Sequence, residues 1–96
     1  MLLLPATLTA DEAQDTLRLL TQGLRAQAQE DAVIDASALQ QFDTSALAVL
    51  LECQRHAQAF GKSFAIQRPP AALVALAKLY GVHTLLMPEA VPASVQ

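Results

Sequence analysis

The segment Ala32-Val-Ile-Asp-Ala-Ser-Ala-Leu-Gln-Gln-Phe-Asp-Thr-Ser-Ala-Leu-Ala-Val-Leu-Leu51 restricts the fold more than any other part of the chain. Val33 and Ile34 form a short apolar run that stops at Asp35, a loop follows, and Asp43-Thr44-Ser45 then opens a strongly apolar helical pattern. Three consecutive small polar side chains at a helix start satisfy the amide donors left free there. They also place a hydroxyl where the positive end of the helix dipole favours a phosphate. The base and oxyanion partners that a hydrolase needs are missing from the segment, so it suits docking or switching.

The rest of the chain repeats the alternation. Leu2-Leu3-Leu4 reads as a short strand ended near Pro5, and Thr9-Ala-Asp-Glu12 is a capping box. Ala13, Leu17, Leu20, Leu24 and Ala28 follow at helical spacing, which predicts an amphipathic helix over 10–28, weakened by Gly23. Residues 32–35 are a strand of nearly continuous apolar character, as suits a central position. A helix over 45–60 ends at Gly61. Ser63-Phe-Ala-Ile-Gln67 alternates as a strand, with Phe64 and Ile66 on one face. Pro69-Pro70 stops that strand, a helix over 70–80 ends at Gly81, and 84–87 reads as a short edge strand or a turn. The whole is a single α/β domain over residues 1–96, largely parallel in its pairing, with a flexible tail over 88–96.

The pattern Asp-x-Ser followed by Phe-Asp-Thr-x-x-Leu, here Asp35 to Leu47, resembles the STAS domain (sulphate transporter and anti-sigma factor antagonist). Leu73-Val-Ala-Leu-Ala-Lys-Leu-Tyr-Gly81 and Leu85-Leu-Met-Pro88 narrow the resemblance to the MlaB-type subunit of the Mla phospholipid-transport ABC complex, over roughly residues 32–88. The resemblance implies a small mixed or parallel β-sheet with three main helices. Against that plan the N-terminal strand region is shortened, so either the sheet is one strand smaller or a partner covers its edge. An exposed edge there also admits a homodimer, including a domain-swapped one. The family usually has glycine where this chain has Ala46, and MlaB-type sequences often have one at Ser45; the added β-carbons leave less room for an approaching partner backbone.

The resemblance places Thr44 on the position that is phosphorylated in anti-sigma antagonists, with Asp43 and Ser45 beside it. Without the resemblance, these three residues read first as helix caps. On the second helix Ala46, Val49, Leu50, Cys53, Ala57 and Phe60 make one stripe, the core face. Leu47 and Leu51 lie off it, either covering the edge of the core or forming an apolar partner patch near Thr44. On the third helix Leu73, Leu76, Ala77 and Tyr80 fill the core stripe; Val74, Lys78 and Leu79 sit on its shoulders, and Lys78 and Leu79 extend the candidate docking surface. Asp35 either orients the loop before Thr44 through backbone amides or is a plain turn residue.

Composition excludes several classes. The net charge is −3, and the six Lys and Arg residues are scattered, which argues against nucleic acid and against a basic membrane-surface helix. Apolar residues reach 53%, but the longest run is far short of a membrane span. A single cysteine, Cys53, rules out an intrachain disulfide and agrees with a reducing compartment. It reads as a small core hydrophobe, and His56 and His83 as surface or hydrogen-bonded histidines with no metal spacing. No P-loop, dinucleotide glycine motif or catalytic triad is apparent, so the expectation is a protein that is not an enzyme and needs no cofactor or metal. The resemblance then implies a cytoplasmic STAS subunit that binds and regulates the ATPase subunit of a Mla-type ABC transporter, peripheral to the inner membrane through that partner. The competing expectation is an anti-sigma factor antagonist switched by a kinase acting on Thr44. A ligand-binding STAS module is a third reading, for which the sequence offers no polar-lined pocket.

Overall fold

The structure, a computed structural model, describes residues 2–26 and 31–86. In chain order the elements are β1 (Leu2–Leu3), β2 (Thr7–Leu8), α1 (Ala10–Ala26), β3 (Asp31–Asp35), β4 (Gln41–Phe42), α2 (Thr44–Ala59), β5 (Ser63–Gln67), α3 (Ala71–Leu79) and α4 (His83–Leu86). A three-stranded sheet runs in the order β1-β3-β5, and β2 pairs separately with β4; every pairing is parallel. The register sets Leu2 opposite Ile34 and Ile34 opposite Ile66. β3 is therefore the central strand, with Ala32 and Ile34 fully buried under the helices. This is the α/β plan with parallel strands that the alternation of elements implies. The tail 88–96 and the end of the first predicted helix, including Ala28, lie outside the described residues.

Leu20 and Leu24 of α1, Ala46, Val49, Leu50, Cys53 and Ala57 of α2, and Leu73 and Ala77 of α3 pack over β3 in one core. Gly23 has a packing role that its low helix propensity hides. A β-carbon there would lie 2.5 Å from Cδ2 of Leu2, so the Leu2 side chain packs into the space that the glycine leaves open.

Both long C-terminal helices end alike. The Lys62 N–H donates to the carbonyl of Ala57 and the Gly61 N–H to that of Gln58, at 2.8 and 3.0 Å; Val82 and Gly81 repeat this on Ala77 and Lys78 at 2.9 and 3.1 Å. These are Schellman closures, and they require a left-handed residue, met by φ of 74° at both Gly61 and Gly81. Nothing lies within 4 Å of a β-carbon built on either glycine, so only the backbone would resist a side chain. Gly61→Ala and Gly81→Ala should each lower the unfolding free energy by about 1 kcal/mol. Thermal melts of the two variants would show this as a drop of about 4–8 °C.

The core stripes read for α2 and α3 are corrected at their ends. Phe60 and Tyr80 do not complete the core stripes of their helices: each is a C-cap residue and is exposed. The chain leaves helical geometry there, so the 3.6-residue period no longer predicts where a side chain points. Of the two readings for 84–87, an edge strand or a turn, the structure has the turn: residues 83–86 are a helical turn, α4. Leu85 and Leu86 donate to the carbonyl of Val82, Leu86 is fully buried, and the Gln54 side-chain amide holds the Leu85 carbonyl. The pair β2–β4 was not expected; two-residue strands carry no periodicity to read.

Candidate functional site

The start of α2 stands beside the start of α1, and one carboxylate serves both. Asp43 is the N-cap of α2: Oδ1 accepts the Ser45 N–H at 2.8 Å, and Oδ2 faces the Ala10 N–H at 3.4 Å, at the first residue of α1. The Ser45 N–H holds the Asp43 carboxyl below its usual range. The α1 cap is half of the box expected from sequence. Glu12 Oε1 accepts both the Thr9 N–H at 2.9 Å and the Thr9 hydroxyl at 2.7 Å, which lowers the Glu12 pKa. The threonine hydroxyl is thus a donor here, and the Glu12 N–H goes to the Thr9 carbonyl at 3.1 Å.

Thr44, the first residue of α2, is exposed and Ser45 is half-buried. Thr44, but not Ser45, borders an open cleft of ≈ 710 Å³ lined by Thr9, Gln40, Gln41, Phe42, Asp43, Thr44, Ala72 and Leu76. Phe42 and Leu76 are half-buried and form its apolar floor, and polar groups form its rim. On α3 the face that carries Ala72 and Leu76 continues to Leu79, which is 76% exposed, while Lys78 is exposed one step round the helix. Leu47 does not belong to this surface: at 5% exposure it is part of the core. Leu51 is half-buried and packs against that core. Ala46 is fully buried, so its β-carbon faces the interior and takes no room from a partner.

Asp35 closes the base of the loop that leads to the cleft. Its side chain is buried at the end of β3; Oδ1 accepts the Ser37 N–H at 2.8 Å, and Oδ2 is ion-paired with the guanidinium of Arg68. The Arg68 hydrogen bond, helped by the Ser37 N–H, brings the Asp35 pKa down from 3.8 to about 2, and the same contact raises that of Arg68. Arg68 has φ of 52°, a left-handed conformation that costs a non-glycine residue free energy and is held here by the ion pair. Sequence gave no sign of Arg68: nothing in Gln-Arg-Pro marks a left-handed residue. Asp35 is depressed in the folded state, so its contribution is complete above the unfolded value near 3.8 and is lost as pH falls through about 2. Acid titration followed by circular dichroism should therefore show stability falling between about pH 4 and pH 2, with Asp35→Asn flattening that limb.

The other candidates divide. Cys53 is fully buried, and desolvation pushes its thiol up to about 12, which leaves it inert. His83 is not a surface histidine: it is 7% exposed, and its Nε2 has no hydrogen-bond partner among the described residues. His56 is half-buried, with its ring 6.3 Å from that of Phe60. Among the described residues no group of three or more His, Cys, Asp or Glu side chains is placed to hold a metal ion. No described helix is long and apolar enough to cross a membrane.

Comparison with known proteins agrees with the fold. The family model described as Mlab, STAS domain, matches residues 2–88. No curated protein matches the chain.

Proposed function

The chain belongs to the MlaB-type STAS domain family, and from that premise we propose that it is a non-catalytic subunit that binds and regulates the cytoplasmic ATPase of a Mla-type phospholipid ABC transporter. It would then sit at the inner membrane only through that ATPase. The observation that carries this reading is the cleft at the start of α2. An exposed threonine hydroxyl borders an apolar floor of Phe42 and Leu76, with exposed Leu79 on the next turn of α3. That combination is the anatomy of a protein contact, with an apolar centre and a polar rim. The Ser45 amide that would hold a free anion at this helix start is already taken by Asp43. The site therefore favours a partner surface over a small anionic ligand.

Co-expression with a candidate ABC ATPase, followed by size-exclusion chromatography, tests the proposal. The expected result is a stoichiometric complex that survives the column. Failure to co-elute would count against it, and phosphothreonine on Thr44 after mixing with an anti-sigma kinase would favour an anti-sigma antagonist instead.

A further inference from the structure

We propose that the Asp35–Arg68 ion pair sets the placement of α3 against the start of α2, which makes Arg68 a positioning residue for the partner of the Thr44 cleft. The inference rests on the docking reading above for that partner, and on the chain alone for its geometry. Arg68 does not line the cleft. Apart from Thr9, the lining comes from residues 40–44 on one side and from Ala72 and Leu76 of α3 on the other. Both stretches start from the fork where the ion pair sits. Asp35 and Gln67 lie opposite one another at the ends of β3 and β5, and the Ala36 N–H donates to the Gln67 carbonyl at 2.9 Å before the two segments part.

The two walls are held differently. The first is tied from several directions: the Gln40 and Gln41 N–H groups donate to the Ala6 carbonyl at 2.8 and 2.9 Å, and β4 pairs with β2. The α3 wall has less to hold it. Of its nine residues Leu73 and Ala77 are the buried ones, and its N-cap, Pro70, makes no side-chain hydrogen bond. The Pro70 carbonyl accepts the Leu73 and Val74 N–H groups at 2.9 and 3.1 Å, so the direction of α3 follows from that of Pro70. The connection from β5 to α3 is 68–70, and proline rings fix φ at 69 and 70. The adjustable φ of the connection is therefore that of Arg68.

That angle is 52°, in the left-handed region. A residue with a β-carbon is disfavoured there. The proline that follows also disfavours the right-handed helical region, which leaves an extended conformation, at φ of about −120°, as the alternative. These are separate wells, and passing from one to the other turns the two prolines and α3 with them. The Asp35 carboxylate selects the first well. It is anchored in the frame at 4% exposure, with Oδ1 on the Ser37 N–H and Oδ2 on the Arg68 guanidinium. The Arg68 side chain is 65% exposed, so burial does not keep it there.

The test compares wild type, Arg68→Ala, Asp35→Asn and the double variant, with Gly61→Ala as a control that loses stability at the far end of α2. Amide residual dipolar couplings of the free chain report the orientation of α3 against α2, and titration with the candidate ABC ATPase reports affinity. In wild type and Gly61→Ala the couplings of both helices should fit the one orientation of the structure, with equal affinity. In Arg68→Ala and Asp35→Asn the α3 couplings should leave that frame and affinity should fall about tenfold. The double variant should fall no further, because Arg68 acts through Asp35. Should Asp35→Asn fail to fold, Arg68→Ala carries the test alone, since its side chain is exposed. The proposal is overturned by α3 couplings that keep the wild-type frame in Arg68→Ala, by a changed frame with unchanged affinity, or by additive losses in the double variant. A loss of affinity without a change of frame would make Arg68 a direct contact and overturn it too. Failure of wild type to bind the ATPase would remove the docking reading, and the couplings would still decide the placement of α3.

Discussion

Thr44→Glu is expected to weaken binding to the proposed ATPase partner about a hundredfold, roughly 2.7 kcal/mol, while leaving the melting temperature within a few degrees of wild type. The two effects separate because Thr44 is exposed in the free chain, so a longer side chain there meets no packed atoms. Within the fold a glutamate at the first position of α2 gains from the helix dipole by about 0.3–1 kcal/mol and loses against the neighbouring Asp43 carboxylate. Those terms nearly cancel. In a complex the same carboxylate must be desolvated beside Asp43, against an apolar floor that offers it no partner. Calorimetric titration of the ATPase with wild type, Thr44→Ser and Thr44→Glu checks this, with Thr44→Ser retaining most of the affinity. Equal affinity for Thr44→Glu would remove Thr44 from the interface.

Legibility in the sequence followed length and periodicity. The helices α1, α2 and α3 and the strands β3 and β5 could be read because each repeats its apolar spacing over several residues, and Gly61 and Gly81 marked two helix ends. The periodic reading failed at the caps, where Phe60 and Tyr80 turn outward, and at β2 and β4, whose pairing is a long-range event between two short segments. The candidate site was half legible. Asp43 and Asp35 are local cap and turn chemistry and stand where the local pattern put them, and Thr44 opens α2 directly after the cap. The floor of the cleft joins Phe42 to Leu76 across the fold, and Arg68 reaches back to Asp35; spacing along the chain contains neither.

Three leucines that look alike in sequence should behave differently when cut to alanine. Leu50 is fully buried in the centre of α2, so Leu50→Ala should lower the unfolding free energy by about 3–5 kcal/mol, combining lost burial with the cavity left behind. For a domain of this size that is much of the total, and the melting temperature should fall by at least about 12 °C. Leu47, at 5% exposure, belongs with it: Leu47→Ala should lose about 2–4 kcal/mol, and any loss of partner binding should track the unfolded fraction. Leu79 stands 76% in solvent, and Leu79→Ala should change stability by less than about 0.5 kcal/mol. If the face of α3 beside the Thr44 cleft is part of the docking surface, this third variant alone should lose affinity without losing stability. Denaturant melts and binding isotherms on the same three proteins separate these behaviours. A Leu47→Ala protein that stays fully stable would show that α2 turns a different face to the core, and the cleft built on that face would have to be redrawn.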